Sequence, residues 1–357
     1  MHKNKSYFGT APLVIAMALM ISACGGSSGS GAVPLGPIKY ATLNYPNGVT
    51  GSSTFLTGIR GVDNSSDVYI SGIYTPTSSM SDDVGLLYKG PITGGGSWNI
   101  LNYPSSPGVT VTTTSLYGPN NNGTDAVTVV GNYTTQEQGG APIGAMYQGP
   151  IDGTGTWTTI MPPGAVVCIP HSNMGGFVVG NYDTSQVVVT GKVFIYDITN
   201  QTYSFLTKTG ASLTAYGIWY NGGTSYTITG GLTENGTVTG YLVDWDSSTQ
   251  TASNWTTFTD PKAGTNLVTH FEGITTDGSG GYNLAADDVD INSGIVERAA
   301  FANVPRLPLG DFGTATWRRI DFPNSTVTSS NTVFTNHILG VYQMGTDVSN
   351  GFVATLH

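Results

Sequence analysis

From residue 38 onward, short stretches of alternating apolar and polar residues follow one another, each closed by a cluster of Gly, Asn, Asp, Ser or Pro. Val68 and Ile70 mark the alternation in one stretch, Leu101 and Tyr103 in another. A period of two places every second side chain on one face of a strand, as a half-buried strand requires. The clusters between the stretches carry the residues that turns use. The pattern predicts four strands in the first unit, at approximately 54–62, 67–74, 84–90 and 98–103. Runs of Ala, Glu, Lys, Arg and Leu, from which exposed helices are built, are missing. The expected fold class is all-β.

The stretches repeat. Tyr40-Ala-Thr-Leu-Asn-Tyr-Pro46 recurs as Trp98-Asn-Ile-Leu-Asn-Tyr-Pro104. Val84-Gly-Leu-Leu-Tyr-Lys-Gly-Pro-Ile92 recurs as Ile143-Gly-Ala-Met-Tyr-Gln-Gly-Pro-Ile151, and Asp67–Tyr74 recurs as Ala126–Tyr133. Looser copies begin at Gly176, Ser225 and Trp317. One aromatic marks each copy: Tyr40, Trp98, Trp157, Tyr203, Trp255 and Trp317, spaced by 58, 59, 46, 52 and 62 residues.

Four strands in each unit of this length is the signature of propeller blades, which bury their faces only between neighbours. The last unit offers three strands, at about 332–338, 340–344 and 351–356, and residues 38–45 supply a fourth. The expectation is therefore a six-bladed β-propeller over residues 38–357, closed by the N-terminal strand pairing into the last blade, with seven blades as the alternative.

Composition narrows the setting. Only 10% of the 357 residues are charged, and the formal net charge is −10. Taking away residues 1–23 removes Lys3 and Lys5 and no acid, which moves the charge to −12. Such a chain has no basic footprint for phosphates, which excludes nucleic acid as a partner. Two cysteines, Cys24 and Cys168, rule out a disulfide framework.

The first residues read as an export signal: Lys3 and Lys5, then an apolar run from Ala11 to Ile21, then small residues. Ile21-Ser22-Ala23-Cys24 resembles the lipobox of bacterial lipoproteins. That resemblance implies a signal peptide at 1–23 and palmitate-type acylation of Cys24. It also implies a membrane partner held through acyl chains in the cell envelope. Gly25 after the cysteine, where an Asp would signal otherwise, implies the outer membrane. Residues 24–37, rich in Gly and Ser, form a tether of roughly 20 Å as a random coil. Together these features look like a bacterial β-propeller lipoprotein.

Candidate chemistry is sparse. Aligning the units places Thr57-Gly58, Tyr117-Gly118, Tyr216-Gly217, Glu272-Gly273 and Asn336-His337 in equivalent innermost strands, with His171 and His270 nearby. From these, Tyr117, His171, Tyr216, Glu272 and His337 are the candidate ligand-binding residues at the channel mouth. Glu272 would be the only carboxylate among them, and the tyrosines would stack on a sugar. Asp288, Asp290 and Asn292 resemble the start of a calcium loop, an alternative to the expectation of no cofactor. The loop departs from the motif, with Gly294 one place late and Ala299 where a bidentate Glu belongs. Asp152-Gly-Thr-Gly-Thr-Trp157 partly matches the turn-forming Asp-box of sialidase-type propellers, but five arginines in all make that activity a poor fit.

The sequence thus favours a membrane-anchored binding or scaffold module for a glycan or protein ligand, not an enzyme. The alternative is a carbohydrate-active hydrolase or lyase with its site at the channel mouth.

Overall fold

A computed structural model describes residues 36–76, 83–123, 125–185, 191–261, 267–290, 296–345 and 348–357. The expected signal peptide, Cys24 and nearly all of the expected tether lie outside these residues. The described residues form strands and turns, with no helix among them.

The strands fall into successive sheets in chain order. The first sheet holds β2 (Ser53–Gly61), β3 (Val68–Thr75), β4 (Val84–Gly90) and β5 (Ser97–Ile100). The second holds β6 (Val111–Asn121), β7 (Ala126–Thr135), β8 (Ile143–Pro150) and β9 (Thr156–Ile160). The third holds β10 (Val167–Met174), β11 (Phe177–Asp183), β12 (Lys192–Asp197) and β13 (Thr202–Leu206). In the fourth, β14 (Ala211–Leu213) and β15 (Gly217–Gly222) both pair with β16 (Ser225–Glu234), followed by β17 (Thr237–Asp246) and β18 (Thr251–Phe258). The fifth holds β19 (Leu267–Thr276), β20 (Tyr282–Asp290), β21 (Val296–Val304) and β22 (Thr316–Ile320). The sixth holds β23 (Val327–Phe334), β24 (His337–Gln343) and β25 (Asn350–Thr355). The N-terminal strand β1 (Lys39–Thr42) pairs antiparallel with β25, Lys39 opposite Thr355 and Thr42 opposite Phe352. One parallel rung, Arg298 to Thr328, links the fifth and sixth sheets.

Within a sheet, tight turns set the register. Asn235 and Gly236, both with positive φ (51° and 79°), join Glu234 to its partner Thr237. Two left-handed residues in a two-residue loop give a type I′ hairpin, whose twist matches that of the strands. The repeating aromatics Tyr40, Trp98, Trp157, Tyr203, Trp255 and Trp317 all lie on the last strand of their sheets.

The core lies between sheets. Tyr69 and Leu87 of the first sheet pack with Leu116, Val127 and Tyr147 of the second. Met146 and Val130 continue to Cys168 and Phe194 of the third, and Val179 and Ile195 to Ile228 and Val243 of the fourth. Leu242 meets Phe271 and Leu284 of the fifth, and Phe301 meets Ile338 and Phe352 of the sixth. Leu339 and Val353 of the sixth sheet pack on Leu56, Ile59 and Ile70 of the first. Each sheet therefore buries its faces against both neighbours, because an alternating strand in a stack has two faces to cover.

Candidate functional site

The first strand of each sheet breaks its ladder near the middle. In five of them a register shift leaves Thr57, Tyr117-Gly118, His171, Glu272 and Asn331 unpaired. In the fourth sheet the interruption between β14 and β15 holds Tyr216. An extra residue in a strand turns its side chain out of the regular alternation. The six interruptions border one small central cavity, lined by Thr57, His171, Tyr216 and Glu272 together with Arg60, Thr332 and Val333.

Glycines make this convergence sterically feasible. A Cβ at Gly58 would lie 2.7 Å from Pro119 Cδ, and one at Gly118 would lie 2.7 Å from Ser172 Cα. At Gly273 it would lie 3.0 Å from Thr332 Cα. Gly58 and Gly273 follow an interruption, Gly118 lies within one, and each admits the first strand of the next sheet. Side chains then bridge the same gap: Thr57 Oγ1 donates to Leu116 O, and Asn331 Nδ2 donates to Leu56 O at 2.8 Å.

Of the residues singled out from the sequence, Tyr117, His171, Tyr216 and Glu272 come together. The His171 ring lies 4.8 Å from that of Tyr117 and 4.7 Å from that of Tyr216. Tyr216 stacks at 6.2 Å on His270, whose Nδ1 stands 3.7 Å from Glu272 Oε1. Burial pushes His171 down to about 3 and also lowers His270, so both imidazoles are neutral at pH 7. Burial raises the Tyr117 phenol to about 12, and Tyr216 is raised by burial and then by the Glu272 charge. The cavity itself is only about 20 Å³, room for roughly one water molecule.

His337 requires a correction. It opens β24, opposite Phe334 and Thr355, and its Nδ1 lies 3.3 Å from Thr335 Oγ1. Burial lowers its basicity first, and the neighbouring His357 lowers it further. The first strand of the last sheet starts at Val327, five residues before the position the pattern predicts, so the register position shared with Glu272 falls on Asn331. The physical reason is a polar strand start. Val327-Thr-Ser-Ser-Asn331 carries no apolar alternation, yet Ser329 and Ser330 are buried. Asp287 compensates them: its Oδ2 accepts from Ser329 Oγ at 2.7 Å, and its Oδ1 accepts from Ser330 N at 2.7 Å and Ser330 Oγ at 2.9 Å.

The calcium-loop residues divide. Asp288 lies inside β20, not in a loop, and is buried. Its Oδ1 accepts from Thr269 Oγ1 at 2.8 Å and its Oδ2 from Arg319 Nη1 at 3.1 Å. Arg319 Nη2 also pairs with Asp260 Oδ2 at 3.2 Å, so a cation of the chain already engages both acids. Burial raises Asp288 to about 6. Asn292 and the side chain of Asp290 lie outside what the structure describes. Among the described residues, no three His, Cys, Asp or Glu side chains cluster closely enough to hold a metal ion. Asp152 forms a turn, with its Oδ1 accepting from Thr154 N at 3.0 Å and Thr154 Oγ1 at 2.7 Å.

A larger recess, unmarked by any motif, lies between the fourth and fifth sheets. This groove of about 610 Å³ is lined by Thr256, Thr257, Phe258, Phe312, Thr314 and Trp317, among others, none of them charged. Trp317 is braced by stacking on Phe271 at 5.8 Å. Phe312 is held by the Arg306 guanidinium 4.0 Å above its ring, and Arg306 is itself anchored to Asp244. The only sequence signal for this place was the repeated aromatic at Trp317.

No protein-family model matches the chain, and no curated protein matches it. Solved structures do. A protein of unknown function from Dyadobacter fermentans aligns with a TM-score of 0.57 at 10% identity, over 90% of this chain and 99% of its own. The GH93 alpha-L-arabinofuranosidase of Fusarium graminearum, in complex with arabinobiose, aligns with a TM-score of 0.53 at 11% identity, over 88% and 98%. These likenesses concern architecture alone: the chain has an all-β, propeller-like fold.

Proposed function

We propose that this chain is a six-bladed β-propeller, closed by β1 in the sixth sheet, that binds a neutral glycan in the groove beside Trp317. The pairing of β1 with β25 and the packing of Leu339 on Leu56 support six blades and closure. The protein is held to the outer membrane of the cell envelope by acyl chains on Cys24, and residues 25–37 let the ring stand away from the bilayer.

The lining of the groove carries this reading. Sugars present C–H faces that stack on aromatic rings and hydroxyls that need hydrogen-bonding partners. Trp317 and Phe312 offer the rings, and Thr256, Thr257, Thr259 and Thr314 offer the hydroxyls. The absence of charge in the lining favours an uncharged ligand. At about 610 Å³ the groove is within the usual range of ligand sites, whereas the central cavity is far below it. The arabinobiose held by the GH93 arabinofuranosidase agrees with this ligand class.

The hydrolase or lyase alternative places chemistry at the channel mouth. Glycoside hydrolysis uses two carboxylates about 5–10 Å apart. The six positions around the central cavity supply Glu272 alone. The binding reading is therefore preferred. On an array of neutral oligosaccharides that includes arabinans, the protein should retain at least one ligand. Trp317→Ala should weaken that binding at least tenfold while still melting cooperatively. Full retention by this variant would place the ligand elsewhere.

A further inference from the structure

The two walls of the groove beside Trp317 come from different sheets, and one carboxylate engages both. On the fifth-sheet side, residues 305–315 link β21 to β22 and fold into a small hairpin. Arg306 bridges to Phe312, Leu307 N donates to Asp311 O at 2.9 Å, and Gly313 N donates to Pro305 O at 2.8 Å. Leu309 at the tip is 93% exposed, and Phe312 is the buried apolar contact of the hairpin. The Arg306 guanidinium reaches across to Asp244 of β17, Nη1 donating to Oδ2 at 2.8 Å and Nη2 donating to Oδ1. Nη1 also donates to Gly310 O within the hairpin, and Nη2 to Thr227 Oγ1 of β16 at 3.1 Å. On the fourth-sheet side, β18 bulges where Asn254 and Trp255 both stand opposite Val243. Asn254 takes a left-handed φ of 55° there. Its Nδ2 donates to Asp244 Oδ2 at 2.9 Å and to Gly310 O at 3.1 Å. A bulge re-aims a side chain, and this one aims an amide at the opposite wall. Directly after it come Thr256, Thr257 and Phe258, which line the groove.

We propose, resting on the glycan reading of this groove, that Asp244 is its positioning residue. Through Arg306 it holds one wall and through Asn254 the other, so the walls stand at the separation for binding before a ligand arrives. The side chains of Asp244 and Arg306 are 22% and 18% exposed. A two-pronged arginine–carboxylate contact largely shielded from water fixes distance and orientation together, which a solvated ion pair does not. Neither Asp244 nor Arg306 is among the described residues that line the groove, so each acts on a ligand through the walls alone. A site held in its bound arrangement spares the ligand the cost of ordering it.

The test is hydrogen exchange of the full folded domain, with and without the pool of neutral oligosaccharides used on the array. Asp244→Asn and Arg306→Lys keep side-chain bulk but lose the charged two-pronged contact. In both, residues 305–315 should lose most of their exchange protection while the first and second sheets keep theirs. Affinity should fall about fivefold, as when the binding arrangement is populated about a fifth of the time, and saturating oligosaccharide should restore the protection. A pair that only stabilises the fold would lower the melting point without that ligand-dependent recovery. Parent-like exchange at 305–315 in both variants overturns the proposal, as does lost protection with parent-like affinity. If Asp244→Asn does not fold, Arg306→Lys and Asn254→Ala decide by the same two readouts. A parent that retains no oligosaccharide sinks the glycan reading instead. In that case, protection lost at both 254–258 and 305–315 in Asp244→Asn upholds Asp244 as the holder of the two walls, and parent-like exchange overturns it.

Discussion

His171 is a basic residue that the fold keeps neutral. It lies between Tyr117 and Tyr216, with no acid among the causes of its shift, and its pKa falls from 6.5 to about 3 through burial. In the unfolded chain the same imidazole protonates near its ordinary value. Between these two values the unfolded state binds the extra proton, so stability rises with pH across the window and is lost as pH falls below about 6.5. The expected loss is up to about 1.4 kcal/mol per pH unit from this group. Urea melts at pH 7, 5.5 and 4.5 should show a shallower acid decline for His171→Gln than for the parent; parallel curves would remove His171 as the cause. Single residues also show what the sequence reveals. Thr57, Tyr117, Tyr216 and Glu272 were findable because each precedes a glycine that admits the next strand. Asn331 precedes Thr332 and carries no such mark. At the other end of the chain, Cys24→Ala should abolish palmitate labelling and leave unprocessed or mislocalised protein. Labelling equal to the parent would dismiss the anchor.

Elements were legible wherever burial is apolar. The hairpins from Asp67 to Gly90 and from Ala126 to Pro150 carry the alternation openly, and their strands lie within a few residues of the predicted bounds. β23 was misplaced because hydrogen bonds to Asp287, not apolar contacts, bury Ser329 and Ser330. A period-two search registers greasy positions and is blind to serines that are satisfied by a carboxylate. The strand β1 gives a direct test at this scale. Ile38 and Tyr40 pack on the core of the last two sheets, and Tyr40 meets the Phe322 ring edge-on at 5.5 Å. Deleting residues 24–35 should leave the melting point unchanged. Deleting through Pro46 should cost roughly 3 kcal/mol or more, from two large side chains at about 1.5–3 kcal/mol each, and should expose β25 as an open edge. Dimerisation or aggregation, followed by light scattering, is the expected companion. Equal melting of both truncations would disprove the closing role of β1.

For the molecule as a whole, the repeats of the sequence recur as successive groups of strands, but the useful cavities are not where equivalent positions converge. Convergence fills the centre. Tyr216, His171 and Glu272 crowd a space for one small particle, because the first strands approach to van der Waals contact. The surface recess arises instead from an irregularity, the long connection between β21 and β22 that carries Leu307, Phe312 and Thr314. Repeats describe what the sheets share, so a site built from what one sheet does differently is invisible to them.

The pairing of β1 with β25 brings the two ends of the described fold together. The amide of Gly36 donates to the carbonyl of His357, and Arg318 holds Gly36 O from the neighbouring sheet. A body whose ends meet has no intrinsic starting point. A gene in which His357 is joined to Gly36 by a short Gly/Ser linker and reopened at the type I′ turn at Asn235-Gly236 should encode the same body, read from a different first residue. Such a permuted chain, compared with the parent by circular dichroism and thermal melting, should keep its β signature and a cooperative transition. Loss of cooperativity would mean that the order in which the sheets are synthesised matters, and not only their final neighbours. The same adjacency places a label fused after His357 beside Gly36, where the proposed tether to Cys24 begins, and leaves the remaining loops unobstructed.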